Sequence, residues 1–459
     1  MSFFTLGCKV NQYDTQALRE QFLCRGFREV SFGEVADVYV IASCAVTAGA
    51  AAKSRQMTRR AHRLNPQAVV ILVGCYTQAA STRPGRRDEE RLGSLPADLL
   101  FGVGQGAGDI VDATEARLRG ENVPRSHVRN LWTEGPSGRQ RTRVSFLAGH
   151  SRALVKVQEG CDEFCSYCLI PFLRGPVRGR PPDEILAEAE GLLEAGYREL
   201  VLTGINLGSY GRAPGVHVSL ADLVCQLVQI PGRWRLRLSS LEPMDLDERL
   251  FEVMAASPRV ARHLHLPLQS GSRRVLERMR RRYTPGQYRE LVEAARARMP
   301  DLAVSTDLMV GFPGEREEDH RQTLEFARSV GFARIHAFAF SARPGTGAAH
   351  LDDQVPPAVI RVRRDDVLLL ACRSARAFHR DQVGRTLEVL VEERAAEIPF
   401  GRSRGGACHY GYSGNYVPTW ILDGEEDCRE GRICRVRVLD GAQEGCLAVP
   451  VRPGFQSSL

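Results

Sequence analysis

Lysine is nearly missing from this 459-residue chain: of its 62 Lys and Arg residues only Lys9, Lys53 and Lys156 are lysines. Positive charge is therefore carried by arginine. A bias in the coding DNA explains that at most positions, so the net charge of +7 is weak evidence for a nucleic-acid partner. Long apolar runs are missing too. None reaches the roughly 18 residues a membrane-spanning helix requires, and Met1 to Val10 lacks the basic-then-apolar layout of a secretory leader. The expected location is the cytoplasm, with no membrane partner. With 43% hydrophobic and 25% charged residues, extensive disorder and fibrous repeats are excluded, and the length predicts two or three domains.

Cysteine is not scarce. Thirteen of them, an odd number in a chain expected to meet a reducing compartment, argue against a disulfide framework and for metal or redox use. Free cysteine is also a common buried apolar residue, and Cys24, Cys225, Cys372 and Cys434 are read that way from their helical or strand-alternating contexts. Cys408, Cys428, Cys434 and Cys446 lack paired zinc-ligand spacing.

The chain reads as α/β throughout most of its length. Residues 1–118 alternate short apolar strands with helical segments, and the first three strands end alike, at Gly7-Cys8, Ser43-Cys44 and Gly74-Cys75. Such alternation predicts a parallel sheet whose ligand sites gather beyond the strand carboxyl ends, which would bring Cys8, Cys44 and Cys75 together to hold a metal cluster. Residues 119–150, rich in Gly, Pro, Arg and Ser, read as a linker, and the arginine-rich stretch from Arg83 to Arg91 as a surface loop. Residues 151–376 carry six strand-helix units, two short of a closed eight-unit barrel, so a partial (β/α)6 barrel is expected, its site at the strand carboxyl ends. Residues 380–450 turn to short alternating strands and predict a small β-barrel.

The strongest chemical signal follows the first strand of the partial barrel. Cys161, Cys165 and Cys168 form a C-x3-C-x2-C loop. Three thiolates so close can hold three corners of a cubane iron-sulfur cluster, which takes four cysteines when wholly protein-bound. The missing fourth ligand leaves one iron open for a substrate or cofactor. A zinc knuckle is disfavoured because no nearby His or Cys completes a tetrahedral set.

This loop, with Tyr167 before its last cysteine and six strand-helix units behind it, resembles the radical S-adenosylmethionine enzymes. In that superfamily the cofactor chelates the open iron and is cleaved to a 5′-deoxyadenosyl radical, which the protein aims. Thr5 to Thr15, Cys44-Ala45-Val46-Thr47 and Gly74-Cys75-Tyr76 narrow the resemblance to the methylthiotransferases, whose amino-terminal domain holds a second [4Fe–4S] cluster on three cysteines and whose ending is an RNA-binding TRAM barrel. Gly7-Cys8-Lys9-Val10-Asn11 is similar to the branch acting on N6-threonylcarbamoyladenosine at tRNA position 37. The resemblance thus implies two [4Fe–4S] clusters, S-adenosylmethionine, a tRNA anticodon loop as substrate and a flavodoxin- or ferredoxin-type electron donor. It implies a methylthio group placed on C2 of the modified adenosine. The same chemistry on isopentenyladenosine or on a ribosomal-protein aspartate is the near alternative. A non-catalytic iron-sulfur protein that binds RNA or senses redox state is the distant one.

By the same resemblance Gly204, Ser240, Glu242, Gln269, Ser270 and Asp307, each just past or near a strand end, are expected to contact the cofactor. For RNA, Lys53, Arg55, Arg59, Arg60 and Arg63 fall on one predicted helix between Cys44 and Cys75, and Arg280, Arg281 and Arg282 form a second cluster with Arg278. A net charge of −2 beyond residue 379 argues that the last domain does not grip RNA by charge alone.

Overall fold

The computed structural model describes residues 1–82, 86–136, 143–146, 151–212, 215, 217–395, 397–400, 408–422 and 428–451, the side chains of 86–89 excepted. Its first strands are almost wholly buried, because apolar residues fill both faces of a sheet covered by helices. In order they are β1 (Ser2–Thr5), α1 (Lys9–Cys24), β2 (Val38–Ser43), α2 (Ala48–Leu64), β3 (Val69–Gly74), α3 (Cys75–Thr82), α4 (Arg86–Gly93), β4 (Leu99–Phe101), α5 (Ala107–Leu118) and β5 (Ser126–His127). The five strands are parallel and adjacent in chain order. Two expectations need correction. Arg86 onward is helix rather than loop, its carboxyl end sealed by the buried Leu92 and Leu95. Ser126–His127 pairs with β4, so the sheet reaches into the stretch read as linker. Residues 137–142 and 147–150 of that stretch, and Arg83, lie outside the described residues.

A partial barrel follows: β6 (Ala153–Lys156), β7 (Gln158–Glu159), α6 (Ile170–Arg174), β8 (Arg178–Gly179), α7 (Pro182–Glu194), β9 (Glu199–Thr203), α8 (Leu220–Leu227), β10 (Arg235–Leu238), α9 (Glu248–Ala256), β11 (His263–His265), α10 (Arg273–Arg278), α11 (Pro285–Arg298), β12 (Ala303–Val310), α12 (Glu317–Val330), β13 (Arg334–Ala339) and α13 (Pro357–Arg380). Six parallel strands make two three-stranded sheets, β10-β9-β6 and β11-β12-β13, joined by bridges at Leu236–Val260 and Ser240–His265. Leu200, Leu202, Leu236, Leu238, Leu264 and Val304 join the core shared with the helices. Strand alternation then turns Glu199, Thr203, Arg235, Arg237, Ser239, His263, His265, Ser305, Asp307 and His336 to the inner face, which is polar. The amino-terminal unit spans the gap that six strands leave. On one side Tyr13 donates to Glu188 at 2.9 Å; on the other Ser341, beyond β13, accepts from the Ala48 amide at 3.4 Å.

The chain ends in a closed five-stranded barrel, β14 (Thr386–Ala395), β15 (Cys408–Ser413), β16 (Pro418–Leu422), β17 (Ile433–Gly441) and β18 (Cys446–Pro450), ordered β14-β15-β16-β18-β17. Sequence alternation marks four of these strands. The fifth, β16, opens on Pro418, which reads as a turn residue but tolerates the first position of a strand. The buried Arg235 and Arg237 dock this barrel against the floor of the larger one, donating to the carbonyls of Glu388, Tyr412, Ser413 and Gly414. Cys434 does lie in its core, but it is joined to Cys428 in a disulfide with Cα atoms 5.4 Å apart, against the expectation of unpaired cysteines. Cys24, expected to be buried, is exposed at the end of α1.

Candidate functional site

The loop after β6 is set by one glycine. Gly160 has φ +77°, and a Cβ there would lie 1.9 Å from the Pro176 carbonyl oxygen, so no other residue fits. The Cys161 amide donates to Gly175 O, the Cys168 amide to Cys165 O, and the Ile170 amide to Cys168 Sγ at 3.4 Å. Ser166 ties the loop to the end of α10 through Arg278 O and Met279 O. The three thiols act on one another electrostatically. Burial pushes all of them up, Cys168 to about 12, and at Cys165 Arg281 opposes that push. Half-buried, mutually repelling thiolates are favoured beside a cation, so this donor set fits a metal cluster better than a general nucleophile.

The second triplet is assembled by sheet register. Strands β1, β2 and β3 run level, pairing Thr5 with Ala42 and Ser43 with Gly74, so Cys8, Cys44 and Cys75 leave the sheet side by side. Gly7 adopts φ +101°, and a Cβ there would come within 3.2 Å of Cys44 Sγ. Cys44 and Cys75 are buried and Cys8 is exposed. Burial raises the Cys75 thiol to about 11, against the pull of Arg174. This set also suits a cationic metal group.

Arg174, at the end of α6, ties the second triplet to Glu159, two residues before the cysteine loop. Its side chain is 1% exposed and interacts with Cys75 and Cys8 while donating to Glu159 at 2.7 Å and Asp14 at 3.3 Å. Lys156 pairs with the same two carboxylates. This buried cluster between α1 and the start of the partial barrel was not anticipated from sequence. Its one visible hint was Lys156, a lysine in an arginine-dominated chain.

The expected cofactor contacts divide. Gly204 packs so closely on Gln158 that an added Cβ would lie 2.8 Å from Oε1, and Gln158 holds the cysteine loop by donating to Gly160 O. Glu242 makes no helix-capping bond; it pairs with Arg281, which also donates to Cys165 Sγ at 3.3 Å. Ser240 sits in the bridge to His265, and Gln269 is held at φ +64° by backbone bonds to Asp307 and Met309. Asp307 accepts from His336 Nδ1 at 3.0 Å and pairs with His265 Nε2 at 3.4 Å. Burial opposes its ionisation, but these two partners outweigh it and hold the carboxyl below its usual range. Ser270 departs from expectation: fully buried, it spends its hydroxyl on Thr323 of α12, on the helix side. Sequence reading did not single out Thr203 and Ser239, buried hydroxyls at the ends of β9 and β10 without a partner among the described residues, which fit a polar ligand above the strands.

Of the candidate RNA contacts, Lys53, Arg59, Arg60 and Arg63 are exposed on α2 and Arg55 lies against the Tyr76 ring. Arg280 is exposed and Arg282 pairs with Glu163. Arg281 is corrected: at 3% exposure it belongs to the cysteine loop and not to the surface.

Two family descriptions match the chain, the radical SAM superfamily over residues 155–327 and the uncharacterized protein family UPF0004 over residues 1–92. The chain is similar to the threonylcarbamoyladenosine tRNA methylthiotransferase MtaB of Bacillus subtilis, 35% identical over 96% of this chain and 93% of that one. The protein of the same name from Chlamydia pneumoniae is 39% identical over 87% and 88%. The tRNA-2-methylthio-N(6)-dimethylallyladenosine synthase of Desulfitobacterium hafniense is 33% identical over 87% and 88%. Among solved structures, the radical S-adenosylmethionine methyltransferase TsrM of Kitasatospora setae shares the fold, with a TM-score of 0.52 at 16% identity over 73% of this chain and 72% of that one. With its cysteine loop, partial barrel and whole-length relatives, the chain belongs to the radical S-adenosylmethionine methylthiotransferases, enzymes that transfer a sulfur-containing group.

Proposed function

We propose that this enzyme replaces the C2 hydrogen of N6-threonylcarbamoyladenosine, at position 37 of tRNA, with a methylthio group, in the cytoplasm. The observation that carries the reading is the likeness, along nearly the full chain, to enzymes named for that nucleoside. Cys161, Cys165 and Cys168 hold one [4Fe–4S] cluster and Cys8, Cys44 and Cys75 a second. A reduced cluster bearing S-adenosylmethionine supplies one-electron chemistry that can activate a C–H bond beyond the reach of acid–base catalysis.

The chain's own residues do the positioning. Gly204 leaves room beside Gln158, Thr203 and Ser239 offer unspent hydroxyls, and Glu242, Gln269 and Asp307 line the strand ends around them. Arg281 sets a fixed positive charge against Cys165. Lys53, Arg59, Arg60 and Arg63 on α2, with Arg280 and Arg282, contact phosphates of an anticodon loop, whose unpaired bases can be splayed into the barrel. A flavodoxin- or ferredoxin-type protein delivers the electrons.

Mass spectrometry of tRNA nucleosides from a deletion strain tests the reading. The expected result is loss of 2-methylthio-N6-threonylcarbamoyladenosine with accumulation of its unthiolated precursor. An unchanged level of that nucleoside, with loss of the 2-methylthio-dimethylallyl nucleoside instead, overturns it.

A further inference from the structure

Three adjacent parallel strands bring two imidazoles and a carboxylate to the inner face of the partial barrel: His265 of β11, Asp307 of β12 and His336 of β13. Asp307 stands directly opposite His336 in the register of β12 and β13. His265 stands opposite Ser305, two residues before Asp307 and on the same face. Backbone pairing alone therefore assembles the set. Asp307 Oδ1 lies 3.0 Å from His336 Nδ1 and 3.4 Å from His265 Nε2, and one donor atom from each residue falls within 4.8 Å of the other two. Donors bound at about 2.1 Å to a single ion, at tetrahedral or octahedral angles, stand about 3.0–3.4 Å apart.

The partners of this carboxylate differ from those of its neighbours. Glu188, Glu199, Glu242, Glu315 and Asp319 each pair with an arginine, whereas Asp307 pairs only with the two imidazoles among the described residues. A neutral imidazole carries a lone pair that arginine lacks, so this set can ligate where the others can only neutralise. Ser305 fixes the orientation: its Oγ lies 2.9 Å from His265 Nδ1 and 2.9 Å from His263 Nε2. A hydroxyl that accepts from His265 Nδ1–H and donates to His263 Nε2 leaves the His265 Nε2 lone pair facing the Asp307 oxygen. Two electron-rich atoms so placed need a proton or a metal ion between them.

We propose that His265, Asp307 and His336 bind a divalent first-row transition-metal ion, separate from the six cluster cysteines. Two imidazoles and one carboxylate suit Zn²⁺, Fe²⁺ or Mn²⁺ better than the hard ions Mg²⁺ and Ca²⁺. Side-chain exposures of 16%, 23% and 39% keep the set reachable, so an ion held by three protein ligands has positions left for water or a substrate oxygen. Nothing in the site depends on which nucleoside is modified.

Zn²⁺ is the probe, because it outranks Mn²⁺ and Fe²⁺ at such donors and displaces either. The full chain is reconstituted anaerobically to about eight irons and eight sulfides, so that both cysteine triplets are filled, and then titrated with Zn²⁺ against a fluorescent zinc indicator. Zinc, iron and sulfide are counted per chain after gel filtration. The wild type should hold one Zn²⁺ with its iron and sulfide unchanged. At equal iron and sulfide, Asp307→Asn and His336→Gln should bind it roughly a hundredfold more weakly or worse, and Ser305→Ala roughly tenfold to a hundredfold more weakly. His336, the most exposed of the three, carries the variant test if Asp307→Asn loses its clusters. A wild type that holds no zinc overturns the proposal without any variant, and a proton then occupies the set. Zinc held equally by the wild type and by both ligand variants sits elsewhere, on surface groups or unfilled cysteines, and overturns it too.

Discussion

Cys161, Cys165 and Cys168 occupy eight consecutive residues of one loop, whereas Cys8, Cys44 and Cys75 come from three strands spread over the first 75 residues. The loop is fixed locally by Gly160 and by short-range backbone bonds. The dispersed set exists only because β1, β2 and β3 are in register, so its geometry is a property of the whole sheet. Each triplet nonetheless keeps one buried arginine, Arg281 at Cys165 and Arg174 at Cys75. Buried sulfur ligands that must carry negative charge need a fixed positive one nearby, however the ligands are assembled.

If the two triplets divide the labour, losing one ligand from each should give different failures, and this is the largest expected effect. Cys165→Ala should abolish cleavage of S-adenosylmethionine and remove about four irons per chain. Cys75→Ala should lose about four irons and the methylthio product while cleavage continues. Iron analysis and chromatography of 5′-deoxyadenosine check both, and identical defects would end the distinction.

Arg174 comes next. Arg174→Met strands the buried Glu159 and the half-buried Asp14 with Lys156 alone, and should destabilise the junction by about 3–5 kcal/mol in chemical denaturation. An unchanged midpoint would show that this cluster does not hold α1 to the start of the partial barrel.

The floor of the partial barrel titrates. Burial opposes ionisation of Glu199, but Arg235 and Arg237 outweigh it and bring the carboxyl from 4.5 to about 2. The lowered value makes its contribution complete above pH 4.5 and lost as pH falls toward 2. At about 1.4 kcal/mol per unit the loss comes to roughly 3–4 kcal/mol. Acid titration of stability should show this step in the wild type, and Glu199→Gln should remove it.

The smallest effect separates the two glycines. Gly160→Ala forces a methyl onto a backbone carbonyl and should cost roughly 1–3 kcal/mol from backbone strain alone. Gly7→Ala meets the Cys44 side chain at 3.2 Å and should cost less. Thermal melts rank them, and the reverse order would mean that the sheet, not the loop, is the stiffer frame.

Much of this was legible in the chain. Gly160-Cys161 to Cys168 declares itself because all its ligands lie within one turn of backbone, and strand alternation exposes the six barrel strands through residues such as Leu200, Leu202, Leu236 and Leu238. Arg281 was misread as a surface cation because nothing next to it in sequence shows that Glu242 and Cys165 wait nearby. Ser270 was misread because a strand-end motif gives position but not rotamer. The Cys428–Cys434 pair was missed because a six-residue spacing matches no familiar motif, and β16 because Pro418 reads as a turn residue.

What the sequence determined alone is everything carried by short-range spacing and period: the open-cornered cysteine loop, the alternation of strand and helix, and the cysteine at each of three strand ends. Only the tertiary structure decided which charges meet. Arg174, Lys156, Asp14 and Glu159 are drawn from separate segments into one buried cluster, and Arg281 is brought between Glu242 and Cys165. Coulomb interaction depends on distance in space and on the dielectric between the charges, and neither is written in the order of residues along the chain.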